Sequence, residues 1–319
     1  MAHSRTVVDN SGVLNVVEFH SMVMNSHGLI SKDDGTFFEA SLTATAKRGA
    51  KSSEGSDATA GRSLRELKPK EIGKKAAEMA VNGLKAQRLK EGAYSIVMDA
   101  APVANITSYI EYLSSPTLAR LDYPLFLDKI GKYIGSRCLT VVDDPLMPGG
   151  VHSSPIDHEG TQSQKITIID KGILKTFTYD SFYGAMEKRK TTASADRDYI
   201  TLGLSSFPGR NYNLEPIARA RNPHIVPGDW KRDEIIENTK DGLLAQRCHY
   251  TRLTNPTRGD FTSVLRMGLY RVEKGEVVST LQKSRIVDNL LDILKNIDAV
   301  SNRLVVAGSW GDCKHAPTV

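Results

Sequence analysis

From Val141 to Gly172 the chain reads VVDDPLMPGGVHSSPIDHEGTQSQKITIIDKG. Two carboxylates precede Pro145, Pro148-Gly149-Gly150 makes a turn, and Ser154 to Gly160 follows before a strand that ends at Asp170-Lys171-Gly172. Glu273-Lys274-Gly275 repeats that last device, so two Gly-containing connections join neighbouring apolar strands, as in hairpins. Most of the segments beyond position 116 read as strands: Leu139–Val142, Lys165–Ile169, Ile173–Tyr179, Phe261–Met267, Leu269–Val272 and Val277–Leu281. The predicted class is α+β, with a small α/β domain at 1–116 and a β-rich, mostly antiparallel domain with few helices at 117–319.

In the first part, Val13–Met24 is rich in strand formers and Asn25-Ser26-His27-Gly28 supplies a turn. Phe37–Ala46 alternates as a further strand, while Lys47–Gly61 has the small, polar composition of a mobile loop. From Pro69 the period changes: Ile72, Ala76, Met79, Ala80, Gly83 and Leu84 fall at helical spacing. Pro69 suits a first helical turn, where its missing N–H costs little. Tyr94–Met98 reads as a buried strand and Val103–Leu113 as a helix opening on Pro102. Ser114-Ser115-Pro116 is the expected linker, since proline disfavours helix in the residue before it. Three further helices are expected: Leu125–Ile134, Trp230–Leu244 with Asp229 as N-cap, and Arg285–Ile297.

A length of 319 residues suggests two domains. The mean hydropathy of −0.31 and the lack of a long apolar run argue against a bilayer span. No apolar stretch follows Met1-Ala-His-Ser-Arg5, which points to a cytoplasmic address. Cys138, Cys248 and Cys313 lie far apart without a Cys-x-x-Cys pair, so reduced thiols are expected rather than disulfides or a four-cysteine zinc site. The net charge of +5 is modest, and the basic residues between Arg62 and Lys90 alternate with Glu66, Glu71, Glu78 and Glu91. That alternation marks a solvated helix face, not a nucleic-acid patch.

The Asp-Asp-Pro, Gly-Gly, Asp-x-Glu-Gly and hairpin series resembles the TldD/PmbA family of peptide-processing metallopeptidases. Asn25-Ser-x-Gly28, Glu71-Ile-Gly-x-x-Ala76, Leu127-Asp-Lys-Ile-Gly131, Gly259-Asp-Phe261 and the Gly308–Pro317 tail extend the resemblance from about Val23 to Pro317. It implies a central α/β domain and a β-rich C-terminal domain; the family's usual N-terminal domain has no counterpart in this sequence. TldD-type subunits carry His-Glu-x-x-x-His on a short helix, with a cysteine near the C-terminus completing a zinc site. At the matching helix this chain has Leu127-Asp128-Lys129-Ile130-Gly131-Lys132, and no histidine occurs between His27 and His152.

Cys313 falls where the family's ligand cysteine would, with His315 two residues on, but a catalytic zinc requires three protein ligands. Cys313 and His315 are the metal candidates. Asp157, His158 and Glu159 suggest a hydrolytic triad, yet neighbours on an extended segment point to alternating faces and cannot converge. With Asp128 they are candidates for substrate or interface contacts. His152 and His158 share a Pro/Gly-rich loop without a recognised metal spacing, and His249 neighbours the Cys248 thiol.

The resemblance thus implies the PmbA or TldE branch: a cytosolic, non-catalytic subunit that binds no cofactor itself and pairs with a TldD-type subunit carrying the zinc. Together they would mature small peptides, this chain presenting unfolded peptide in extended form. A self-sufficient peptidase with an atypical metal site, or a non-proteolytic peptide-binding or scaffold homodimer, are the alternatives. Neither nucleic acid nor membrane is an expected partner.

Overall fold

Three antiparallel strands open the chain: β1 (Val7–Met24), β2 (Ile30–Arg48) and β3 (Lys51–Gly61). The computed structural model describes residues 6–197, 215–309 and 312–319; the leader Met1–Arg5, and Trp310 and Gly311 of the tail motif, lie outside them. At the β1–β2 turn, Asn25 Oδ1 accepts the backbone N–H groups of His27 and Leu29, and Gly28 adopts a φ of 87°.

The loop expected over Lys47–Gly61 is instead the strand β3, paired with β2 from Arg48↔Lys51 to Phe38↔Gly61. Its small residues are packing residues. A Cβ on Gly55 would lie 2.3 Å from the carbonyl oxygen of Ala76, in the helix α1 (Pro69–Gly83). The helix seats its buried Ala76 and Ala80 on Ala44 and Ala46 of β2. A side chain at position 55 would hold α1 away from the sheet, so a composition that resembles a mobile loop is what close helix–sheet approach demands.

β4 (Ser95–Met98) pairs in parallel with Asp241–Ala245, which continues antiparallel to Leu269–Glu273 and then to Glu276–Thr280. α2 (Ala100–Leu113) follows β4 at once. Its Ile110 and Leu113 share the largest core cluster with Phe126, Ile168, Phe177, Tyr179 and Leu294. Both expected hairpins form, with Lys171-Gly172 at φ 46° and 81° and Lys274-Gly275 at 52° and 83°. Two consecutive positive φ values are what a two-residue type I′ connection requires. Among the described residues, six α-helices accompany eighteen strands, the α+β arrangement that the pattern predicted.

Three expected helices are corrected. Only Pro124–Phe126 of the first turns, as a 3-10 segment, because Asp128 and Gly131 take φ values of 58° and 84° that end any helix. The second is confined to Arg232–Asn238, with Lys231 as its N-cap. Asp241–Ala245 is a central strand, since Leu243 and Leu244 are buried on both faces and a strand so enclosed shows no alternation. In the third, Ser284–Asn289 is a strand along Asp260–Leu265, and the helix starts only at Leu290, where Asn289 Oδ1 accepts the N–H of Leu291. The Ser114-Ser115-Pro116 junction is fully buried; Ser115 Oγ donates to the Ala218 carbonyl and also caps the helix Pro116–Leu121.

Candidate functional site

The signature passage folds back on itself and on two later segments. Asp143, on the strand Val141–Asp143, accepts the backbone N–H groups of Arg221 (3.0 Å) and Asn222 (2.7 Å). Full burial pushes its carboxyl up to about 7, although those two N–H donors oppose the shift. Asn222 in turn donates from Nδ2 to Asp144 O and Ser153 Oγ, and accepts the N–H of His152. Arg221 spans the gap to the next turn, donating from Nη1 to Ile156 O and from Nη2 to Ala195 O.

Asp157, His158 and Glu159 lie on a turn closed by an Ile156↔Gln162 bridge, not on an extended segment. They still diverge. Asp157 is fully buried and accepts three backbone N–H groups, from Glu159, Thr161 and Ala195; burial holds its carboxyl above the usual range. His158 Nδ1 lies 2.8 Å from the Arg197 N–H and 3.3 Å from the Asp196 carboxylate. Glu159 accepts the N–H and the hydroxyl of Ser181 at the start of another helix. The three functional-looking side chains therefore brace backbone, each at a different place.

A charged cluster that the spacing did not reveal sits beneath them. Glu111, fully buried on α2, receives Lys314 Nζ at 2.5 Å and the guanidinium of Arg219. Arg219 reaches on to Asp196 at 3.9 Å. Burial opposes ionisation of Asp196, but His158 and the Arg219 and Arg221 guanidiniums outweigh it and hold that carboxyl well below its usual range. The available signal was an i, i+2 pair of arginines, Arg219 and Arg221, flanked by the buried alanines Ala218 and Ala220.

Cys313 and His315 face the same way from the terminal strand Asp312–Ala316, and Lys314 faces Glu111 on the other side. The Cys313 thiol is buried between Ala60 and Val151, with Sγ 3.9 Å from the Glu39 carboxylate. Burial, with His224 alongside, pushes the pKa of the His315 imidazole down. His224 itself sits 2.9 Å from the Asn222 carbonyl. Asp128 is exposed on its left-handed turn. Among the described residues no group of three or more His, Cys, Asp or Glu side chains is placed to hold a metal ion. A catalytic zinc needs three such donors. Cys313 beside Glu39 and His315 beside His224 are two separate couples, and they do not fit one.

Comparison with known proteins places this architecture. The profile described as the PmbA/TldA metallopeptidase C-terminal domain matches residues 91–317, and that of the central domain matches residues 2–84. A metalloprotease of Methanocaldococcus jannaschii is 30% identical over 228 residues, 71% of this chain and 47% of that protein. A zinc metalloprotease TldD homolog of Saccharolobus solfataricus is 29% identical over 230 residues, 69% of this chain and 46% of its own length. The chain thus spans about half the length of the curated relatives it matches. The solved structure of TldE from Thermococcus kodakarensis superposes with a TM-score of 0.81 at 21% identity, over 97% of this chain and 66% of that one. A Thermotoga maritima structure gives 0.84 at 22%, over 99% and 68%. With the C-terminal-domain profile covering most of its length, the chain belongs to the PmbA/TldD metallopeptidase family.

Proposed function

We propose that this chain is the non-catalytic, TldE-like subunit of a two-subunit peptidase. In this reading it encloses part of the substrate chamber and presents extended peptide to a zinc ion held by a TldD-type partner. The observation that carries the reading is the split donor set: the thiol of Cys313 is sealed between Ala60 and Val151, and His315 faces another imidazole. The zinc metalloprotease relative supports the peptidase class, and the likeness to the solved TldE fold supports the branch. Sheet edges in a β-rich body offer the main-chain hydrogen bonds by which unfolded peptide is held with little side-chain preference. Among the described residues no helix is long and apolar enough to cross a membrane.

Elemental mass spectrometry of the purified chain and of Cys313→Ser tests this, alongside peptide hydrolysis with and without a TldD-type subunit. The expected result is zinc well below one per chain in both proteins, and hydrolysis only with the partner. One zinc per chain that disappears with Cys313, together with chelator-sensitive hydrolysis by the chain alone, would overturn it.

A further inference from the structure

β1 is the outer strand of its sheet: it pairs with β2 on one side, and among the described residues nothing pairs with its other edge. Proteins blunt such edges with proline, lysine or short length. β1 is 18 residues long, contains neither proline nor lysine, and leaves Val13, Leu14 and Val16 50%, 52% and 51% exposed. α1 covers β2 and β3 but stops short of these side chains.

The pattern along β1 is nearly palindromic about Asn15. Antiparallel pairing of two copies around a two-fold axis at Asn15 sets Leu14 opposite Val16 and Val13 opposite Val17, so apolar meets apolar on both faces of the sheet. It also sets Gly12 opposite Glu18, Asn10 opposite His20 and Asp9 opposite Ser21, with no like charges facing. Neighbouring registers that keep the faces aligned fail: an axis at Leu14 places Val16 against Gly12, and one at Val16 places Leu14 against Glu18. From Val7 to Val23 the edge is about 58 Å long, and with side chains about 10 Å deep it offers roughly 600 Å² per copy. Two copies bury roughly 1,200 Å², where specific interfaces begin.

We infer that β1 is a self-association edge: a second copy of this chain adds its own β1 in antiparallel register about Asn15, joining two three-stranded sheets into one of six strands. The contact is independent of the proposed peptidase role, and its failure leaves that role standing.

Light scattering coupled to size exclusion on the full chain tests it. Wild type should have about twice the 35.0 kDa chain mass at tens of micromolar, and Leu14→Lys with Val16→Lys should return it to one, with unchanged circular dichroism. In a Cys138→Ser background, Asn15→Cys should form a reducible covalent dimer. Paired Cα atoms about 4.5–5.5 Å apart lie within disulfide reach. Ser11→Cys should not, because its symmetry mate lies about 27 Å away. A wild-type monomer, a dimer indifferent to the lysines, equal cross-linking at both positions, or an edge covered only when a peptide or a TldD-type subunit is added would each overturn the proposal.

Discussion

Replacing Glu111 by glutamine keeps the side-chain volume and removes the one anion that two buried cations share. Lys314 has a side-chain exposure of 3% and Arg219 of 14%, so neither recovers full hydration when the carboxylate is gone. Arg219 retains Asp196 at 3.9 Å. Breaking a buried ion pair by removing one partner costs about 3–5 kcal/mol. At roughly 2 °C per kcal/mol for a chain of this size, the Tm of Glu111→Gln should fall by about 6–10 °C.

Lys314 sits between Cys313 and His315 on the terminal strand, so the same loss loosens that strand. The buried Cys313 should then react with a thiol reagent markedly faster than in wild type, while the exposed Cys138 supplies the fast phase in both proteins. Glu111→Leu combined with Lys314→Met removes both charges and should regain most of the loss, since an apolar replacement of a buried pair is often neutral. A glutamine variant within about 1 kcal/mol of wild type, with unchanged Cys313 labelling, would refute the clamp.

Asp143 predicts a pH dependence. Its folded pKa of about 7 lies above the unfolded value of 3.8, so the native state holds a proton that the unfolded chain has released. The contribution to stability is full below pH 4 and is lost as the pH rises to 7, by at most roughly 4 kcal/mol. Asp143→Asn retains an acceptor for the Arg221 and Asn222 N–H groups but cannot ionise. Denaturant unfolding from pH 4 to 7 should show wild type losing stability relative to that variant, and parallel curves would contradict the argument. Gly55→Val should lower unfolding free energy by about 1–3 kcal/mol, because its Cβ meets the Ala76 carbonyl at 2.3 Å and Ala80 N at 2.5 Å; a melt unchanged from wild type would mean that α1 is not seated on β3.

Local signals disclosed part of the fold: α1 showed its stripe of Ile72, Ala76 and Met79, and the two type I′ hairpins showed their Lys-Gly turns. Elsewhere the local signal was ambiguous: Asp241–Ala245 lies between β4 and Leu269–Glu273, and its adjacent leucines fit a helix as well as a strand. β3 failed for another reason. Gly55, Ala58 and Ala60 serve as contact residues by being small, and smallness carries no periodic signal.

At the site, side-chain chemistry misdirected where backbone demand governed. Asp143, Asp157 and Glu159 are carboxylates in a Pro/Gly-rich passage, the usual look of a reaction centre, yet between them they accept six backbone N–H groups and one hydroxyl. Irregular backbone that is buried must find acceptors for its N–H groups, and short acidic side chains supply them locally. The more unusual arrangement, Glu111 with Arg219 and Lys314, joins residues more than a hundred positions apart that no spacing rule connects. Charge at that depth is costly and persists when geometry holds it together. The cluster fixes α2 and the terminal strand to each other, turning Lys314 to Glu111 and leaving Cys313 and His315 on the opposite face.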